Sequence, residues 1–484
     1  MKAKKRFLSL LMISVPFSFL ILQSALAWET GTHESMNLRA IRVGDIGERQ
    51  LSQTYPFQLG WFLRDLGFDM DGYGEGWNAF VKPEMVERWV KQGGVSEDAS
   101  LRFLNHFHDP LQPWDQGGLR IVDTPLFPSS VVWAQLDRGT QGGRANSWHD
   151  AREYYYRALT DANPGARLLW FEKTFRALGQ IMHLVEDAAV PEHVRNDLWH
   201  GPKALLGMHD TFEQWTDEHL AAFADLPIPT FRDRDLQKIF GEPGDPQAPV
   251  PISRLVDMNL MMRGDRPWIT GTTLAGIAEY ANTNFLSRDT IFQVYEHPSL
   301  ESTEPREGEY YLRKVREGER IEHFVRSGGL DKEKTFTLDP ACYHDYASLL
   351  VPKAIASASL IPYYFFRPIG FRQSIQCACA DYRCFATGEG VLYVYNPTTE
   401  PIRGGQLEVY TGKEQRRLVM TIPIGYLPPC SPQDADPHCA PFLSIGIGDG
   451  SEFWGEDVIA VFRGTLGQEK GAVLFGHQYA GCTN

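Results

Sequence analysis

Residues of metal-ligating type crowd 31 positions, among them His183, Asp187, His193, His209 and Glu213. His183 and Asp187 are four apart, as are His209 and Glu213. On a helix that spacing sets two side chains one turn apart on one face, where both reach one ion. The first pair ends the segment LLWFEKTFRALGQIMHLVED, in which Leu168, Phe171, Phe175, Leu178 and Met182 recur at helical spacing. Pro191 stops that helix, and His193 follows in VPEHVRND. Two such helices facing each other would make the inward-pointing metal site of a helical bundle. Imidazole and carboxylate without thiolate suit zinc used for hydrolysis better than zinc used as a structural staple. A lone His-x3-Asp pair is more often an ordinary surface or core pair. Two pairs, with a third histidine between them, shift the balance towards metal.

The elements that must hold these residues can be read from pattern. Residues 28 to about 225 read as helical and carry every candidate ligand. Between about 226 and 340 the composition changes: PIPTFRDRDLQ and GEPGDPQAPVP read as loops, EPREGEYYLRKVREGERIEHF as a charged stretch, and TLAGIAEYANTNFLSRDTIF as a helix running into a loop. Residues 345–366 form an apolar helix expected to close the bundle. Its length suggests a membrane contact, but Pro352, Pro362 and Lys353 favour a buried core helix. After 368, alternation in GVLYVYN, QLEVYTG and RLVMTIPI argues a β-sandwich. The fold expected is therefore mainly α, with a C-terminal β-sandwich-like domain.

At the other end, Lys2, Lys4, Lys5 and Arg6 precede a mostly apolar stretch, Phe7 to Gln23, and the small-residue site Ala25-Leu26-Ala27. That order describes a cleaved signal peptide over 1–27, with Trp28 as the new N-terminus and export as the destination. Cleavage removes four positive charges and no acids, taking the formal charge from −14 to −18. Such a surface disfavours non-specific polyanion binding, which depends on lysine and arginine neutralising phosphates. All seven cysteines lie in the last third. In an exported chain they suggest a disulfide-braced C-terminal region with one thiol left over.

WETGTHE at the expected N-terminus, NHFHDP at 105–110, HLVEDAAVPEH at 183–193 and HDTFE at 209–213 together resemble the secreted zinc-dependent phospholipases C. That family shares its helical fold and trinuclear zinc site with zinc-dependent single-strand nucleases. The resemblance is clear over roughly 28–220 and weaker up to 366. It implies three zinc ions. One would be held by Asp98, His106, His183 and Asp187, and a second by His193, His209 and Glu213. The third would take the α-amine and carbonyl of Trp28 with His33, Asp187 bridging. Glu97 could stand in for Asp98, which lies only eight residues before His106. His108 falls where the family has an aromatic and is expected beside the ligands rather than among them. His149, His200, His219, His297, His323, His344, His438 and His477 have no partner at ligand spacing. The implied chemistry is direct attack of zinc-activated water on a phosphodiester, with Asp98 orienting or deprotonating the water.

The implied organisation is a signal peptide (1–27), a helical zinc phosphodiesterase domain (28–367) with an insertion at about 226–340, and a cysteine-containing β domain (368–484). HF-x-DP and Glu213 favour phospholipid headgroup hydrolysis, and the position of the C-terminal β region resembles that of the membrane-binding sandwiches of some secreted phospholipases C, which implies a peripheral membrane contact. A single-strand nuclease, with nucleic acid as partner, is the alternative. A zinc-stabilised binding protein that has lost turnover is a third reading.

Overall fold

The computed structural model describes residues 30–42, 63–64, 66–69, 76–99, 101–120, 125–142, 145–197, 211–241, 246–263, 268–328, 335–380, 383–430, 443–447, 453 and 456–479. Trp28, His209 and the expected signal segment 1–27 lie outside them. Eight helices of eight residues or more are described: α1 (Thr30–Arg42), α2 (Pro83–Glu97), α3 (Trp148–Thr160), α4 (Pro164–Asp187), α5 (Phe212–His219), α6 (Asp233–Phe240), α7 (Ile277–Asn284) and α8 (Pro340–Phe365).

Local chemistry sets where the long helices start. Asn163 caps α4 by accepting from the Ala166 N–H at 3.1 Å, and Pro164 occupies the first turn, where its missing N–H costs nothing. Ser147 and Asp150 form a capping box at the start of α3. Asp339 accepts from the Ala341 and Cys342 N–H groups ahead of Pro340, and so starts α8. This 26-residue helix is apolar on nearly every side and is buried among the others, as its interior prolines suggested. Among the described residues no helix is long and apolar enough to cross a membrane.

Helix α4 runs through the middle, packed against α2, α3 and α8. Its approach to α2 depends on glycine. A Cβ on Gly179 would lie 2.2 Å from the Val90 carbonyl oxygen, and one on Gly93 2.2 Å from that of Arg176. Gly179→Ala must push the two helices apart. The expected result is a loss of about 1–3 kcal/mol, the usual range for overpacking, together with weakened metal binding, because His183 is tied to the Gly94 carbonyl across the same contact. Denaturant midpoints and metal content measured on the variant check this; wild-type values for both would show that the contact is slack.

Residues 303–337, which include the stretch read only as charged, are strands. They form an antiparallel meander, β1 (Thr303–Pro305), β2 (Tyr311–Lys314), β3 (Ile321–Ser327) and β4 (Phe336–Thr337), in that order. Ile321, Phe324 and Val325 of β3 join the helical core, and β3 lies on α8.

The C-terminal region is a pair of antiparallel sheets. One is ordered β11-β10-β7-β8, from β7 (Ile402–Thr411), β8 (Arg417–Leu427), β10 (Asp457–Leu466) and β11 (Glu469–Tyr479). The other is ordered β5-β6-β9, from β5 (Gly370–Ala380), β6 (Arg383–Tyr395) and β9 (Leu443–Gly446). Leu392 and Val394 face Leu407, Val409, Val458, Ala460, Phe462 and Leu474 in one core. The alternate residues Ile459, Val461, Val473 and Phe475 belong to the core of the helical part. The period of two in β10 and β11 thus divides their side chains between two cores, which is why Val458 to Phe462 are all buried. Cys342 is a free thiol buried at the start of α8, and burial pushes it up to about 12. Among the other cysteines only Cys430 has a described side chain; it is disulfide-bonded, and the rest of the expected bracing falls outside the described residues.

Candidate metal centre

Seven of the nine expected site residues are described, and the structure brings all seven into one buried cluster at the C-terminal end of α4. Three overlapping groups have ligand atoms within 4.8 Å of one another: His33, His183 and Asp187; Asp98, His106 and His183; Asp187, His193 and Glu213. Asp187 sits between them. Its Oδ2 lies 2.6 Å from His106 Nδ1 and 3.0 Å from His183 Nε2. Its Oδ1 lies 3.2 Å from His33 Nε2 and 3.7 Å from His193 Nδ1.

Each side chain arrives by a separate element. His33 comes from α1, with its ring stacked on His183 at 3.5 Å between centroids. Asp98 follows the last residue of α2 and lies 3.4 Å from His183 Nε2 and 3.7 Å from His106 Nδ1. His106 follows a 3-10 turn, Arg102–Asn105. His183 and Asp187 share the last turn of α4, at the spacing expected. His193 sits in the short turn Pro191–Val194, 3.5 Å by Nε2 from Glu213 Oε1.

Glu213 corrects one expectation. Thr211 is extended (φ −78°, ψ 158°) and caps α5 through the Gln214 N–H, so the helix begins after residue 209. The spacing of His209 to Glu213 is therefore not that of two residues on one helix. His209 itself lies outside the described residues.

Glu97 and Asp98, the two carboxylates between which the sequence left a choice, have different neighbours. Glu97 is bonded to Arg102 at 2.6 Å and to the Trp133 indole N–H at 2.8 Å, and its Oε1 stands 4.0 Å from His106 Nε2. Asp98 is the carboxylate that faces the two imidazoles. It also has the most exposed side chain of these seven, at 14%, although both of its carboxylate oxygens are buried.

Supporting groups orient the imidazoles. His183 Nδ1 donates to the Gly94 carbonyl at 2.9 Å, which turns Nε2 toward the carboxylates. His33 Nδ1 donates to Glu186 Oε2 at 2.7 Å, turning its Nε2 toward Asp187. Nothing in the sequence pattern singled out Glu186. The nearest signal was its place beside Asp187 and three residues after His183. His108 is fully buried outside the cluster, as expected: Asp257 accepts from its Nε2 at 2.9 Å and from the Trp114 indole at 2.8 Å. The His108 backbone N–H holds the His193 carbonyl at 3.1 Å. Asp257 belongs to the 226–340 segment, which therefore builds the floor beside the site. Of the histidines set aside, His149, His219, His297, His323, His344 and His477 lie outside the three groups; His200 and His438 are not among the described residues.

The donor set fits a divalent cation. All inner atoms are nitrogen or oxygen. Both oxygens of Asp98 and of Asp187 are buried without a hydrogen-bond donor, although imidazole nitrogens stand close by. A nitrogen and an oxygen 2.6 Å apart, with no hydrogen bond aligned between them, fit an ion held by both. Charge agrees. Burial would raise Asp187, but the four imidazoles outweigh it and hold the carboxyl well below its ordinary range. Burial would lower His183, yet Asp187 and Asp98 hold it well above its ordinary value, so the two carboxylates call for positive charge at Nε2, as a proton or as a metal ion. Burial takes His193 down to about 4, so that imidazole is neutral and its lone pair available.

No protein-family model matches the chain, and no curated protein sequence does. Among solved structures it is similar to the alpha-toxin of Clostridium perfringens isolated from avian strain SWCP, at 9% identity and a TM-score of 0.29, covering 93% of this chain and 96% of that one. It is also similar to the alpha toxin of Clostridium absonum, at 11% identity and a TM-score of 0.31, with the same coverage. The functional reading rests on the side chains of the site itself.

Proposed function

We propose that this chain is an exported zinc-dependent phosphodiester hydrolase of the phospholipase C type, acting at phospholipid headgroups. The observation that carries the reading is a single buried carboxylate, Asp187, within 3.7 Å of four imidazoles drawn from four separate segments. Asp98, His106, His183 and Asp187 would hold one zinc, and His193 and Glu213, with His209, a second. His33 and Asp187 would hold a third with the amine and carbonyl of Trp28. Bound there, zinc lowers the pKa of water and neutralises the phosphoryl oxygens, the usual requirements of an in-line displacement at phosphorus.

The chain's own groups do the positioning. Asp98 would accept a proton from an attacking water. Glu186 and the Gly94 carbonyl keep His33 and His183 in the tautomers that turn Nε2 inward. Arg102 and Trp133 hold Glu97 away from the centre, which leaves the cluster with fewer negative charges to compensate.

Mature protein loaded with zinc should contain more than two ions per chain by mass spectrometry and should hydrolyse phosphatidylcholine vesicles in preference to single-stranded DNA. Faster turnover of DNA moves the site to the nuclease reading. Fewer than two zincs, or metal without turnover on either substrate, removes the hydrolase.

Export enters the chemistry through Trp28. A backbone nitrogen offers a lone pair only when it is a terminal amine, with a reference pKa of about 8, and metal binding favours the deprotonated form. Cytoplasmic protein with a methionine ahead of Trp28 is expected to fold but to bind one zinc fewer and lose most of its activity. Equal zinc content and turnover in the cleaved and uncleaved forms would reduce the centre to two ions.

A further inference from the structure

The ligands of the cluster are not equally supported by their own elements. His183 and Asp187 stand on a helix of 24 residues, whereas His193 stands on Pro191–Val194, a single turn. One turn fixes several dihedrals for very few hydrogen bonds and does not hold itself. Something outside it must set where His193 points. The His108 N–H on the His193 carbonyl is one fixture. The residues that follow His193 supply the others.

Val194 gives its carbonyl to the Asn282 side-chain amide at 2.7 Å. Arg195 is fully buried. It donates through Nε to the Thr290 hydroxyl at 2.7 Å, and through Nη1 to the carbonyls of Asn282 at 2.9 Å and His297 at 3.1 Å. Its guanidinium lies 4.3 Å from the centroid of the Tyr295 ring. Asp197 accepts the Asp289 backbone N–H at 2.9 Å. All these partners belong to the 226–340 insertion, which therefore grips the chain directly after the ligand. On its other side the turn is tied to α5, because the Glu192 carboxyl accepts the N–H of Phe212, beside Glu213.

The choice of arginine is informative. Among the described residues its hydrogen bonds all go to uncharged oxygens, and its Nη2 is buried without an acceptor. A guanidinium buried without a bonded carboxylate costs stability, and an apolar side chain of similar volume often serves a core as well. What arginine adds is direction, since its planar fork reaches several acceptors in one fixed geometry. We infer that Arg195 is a positioning residue for metal binding: seated in the insertion, it holds the Pro191–Val194 turn so that His193 meets Glu213. This rests on the metal centre proposed above and makes the insertion a working part of it.

Cobalt tests the inference, because it stands in for zinc, whose filled d shell gives no absorption bands. Mature protein loaded with cobalt is compared with Arg195→Met, Arg195→Lys and Arg167→Met. Arg167 is the matched control: it is equally buried, bonded only to Asn78 and to backbone carbonyls, and outside the three ligand groups. In Arg195→Met the bands of one ion should change, and a chelator should remove that ion roughly 10–100-fold faster, the range for losing an outer partner of a metal ligand. The remaining metal should leave at the wild-type rate. Arg195→Lys, which keeps the charge and loses the fork, should restore part of both. Arg167→Met should unfold more easily yet keep wild-type bands and release. Wild-type bands and release in Arg195→Met, or the same changes in Arg167→Met, overturn the inference and leave the metal centre standing. Should Arg195→Met fail to fold, Asn282→Ala removes only the amide on the Val194 carbonyl and must show the same selective loss; wild-type behaviour there overturns the inference equally. Wild-type protein that takes up no cobalt would remove the metal centre itself, and the inference with it.

Discussion

Asp187→Asn is expected to lower phosphodiester hydrolysis by at least roughly 10³-fold, the upper range for removing one preorganised charge-stabilising group, and to cost at least one bound metal ion. The substitution keeps shape and volume and removes only charge. Asp187 alone contacts His33, His106, His183 and His193, so every group of the cluster loses its shared anion at once. An amide cannot replace it, because its nitrogen is a donor aimed at nitrogens that must themselves offer lone pairs. Metal content by mass spectrometry and turnover on phospholipid vesicles read the two effects separately. His149→Ala, half-buried and outside the cluster, should leave metal content unchanged. Full zinc with retained turnover in Asp187→Asn would make the end of α4 an ordinary buried ion-pair network.

The residues legible in the sequence were those whose partners lie close along the chain. His183 and Asp187 stand four apart on one helix and could be paired from spacing alone, and α8 declared its burial through apolar length broken by proline. What spacing cannot see is orientation set by distant residues. Glu97 and Asp98 are neighbours of equal chemistry, and their roles are separated by Arg102 and by Trp133, 36 positions from Glu97. Glu186 gains its place from His33, 153 positions away, and His108 from Asp257, 149 positions away. The His209 to Glu213 spacing misled for the opposite reason: a threonine cap between them starts the helix too late for the pair to share it.

The strands show the same division. Alternation announced β7 and β8 because one of their faces is largely exposed. It could not announce β10, buried against a core on each face, since a continuous apolar run fits a strand or a helix equally. The 303–337 meander was hidden by charge. Glu304, Arg313, Arg326 and neighbouring residues face solvent on short strands, and few apolar side chains mark the inner face.

Glu469→Ala is expected to destabilise the chain by about 3–5 kcal/mol, the range for removing one partner from a buried ion pair, while leaving the metal centre filled. Glu469 is fully buried where β11 meets the helices. It accepts from the Trp148 indole at 2.8 Å, from Arg152 at 2.6 and 2.9 Å, and from Arg367 at 3.1 Å. Arg152 also donates to the Phe365 carbonyl at 2.5 Å and the Val473 carbonyl at 3.3 Å, so its guanidinium joins α3, the end of α8 and β11. Deleting the carboxylate leaves the Arg152 guanidinium in a dry interface without its anion, while Arg367 keeps Glu400, and the stranded charge costs more than the pair contributed when intact. Burial would raise the Glu469 carboxyl, but Arg152 and then Arg367 outweigh it and hold it below its ordinary value. Its stabilising contribution is therefore present above the unfolded pKa, about 4.3, and is lost as pH falls through the depressed folded value. Thermal unfolding of Glu469→Ala should start at lower temperature and separate into two transitions, as the β domain lets go of the helices. The acid limb of its stability profile should flatten relative to wild type, with zinc content unchanged at neutral pH. A single transition at the wild-type temperature would mean that the apolar contacts of Ile459, Val461, Val473 and Phe475 hold the junction without this charge network.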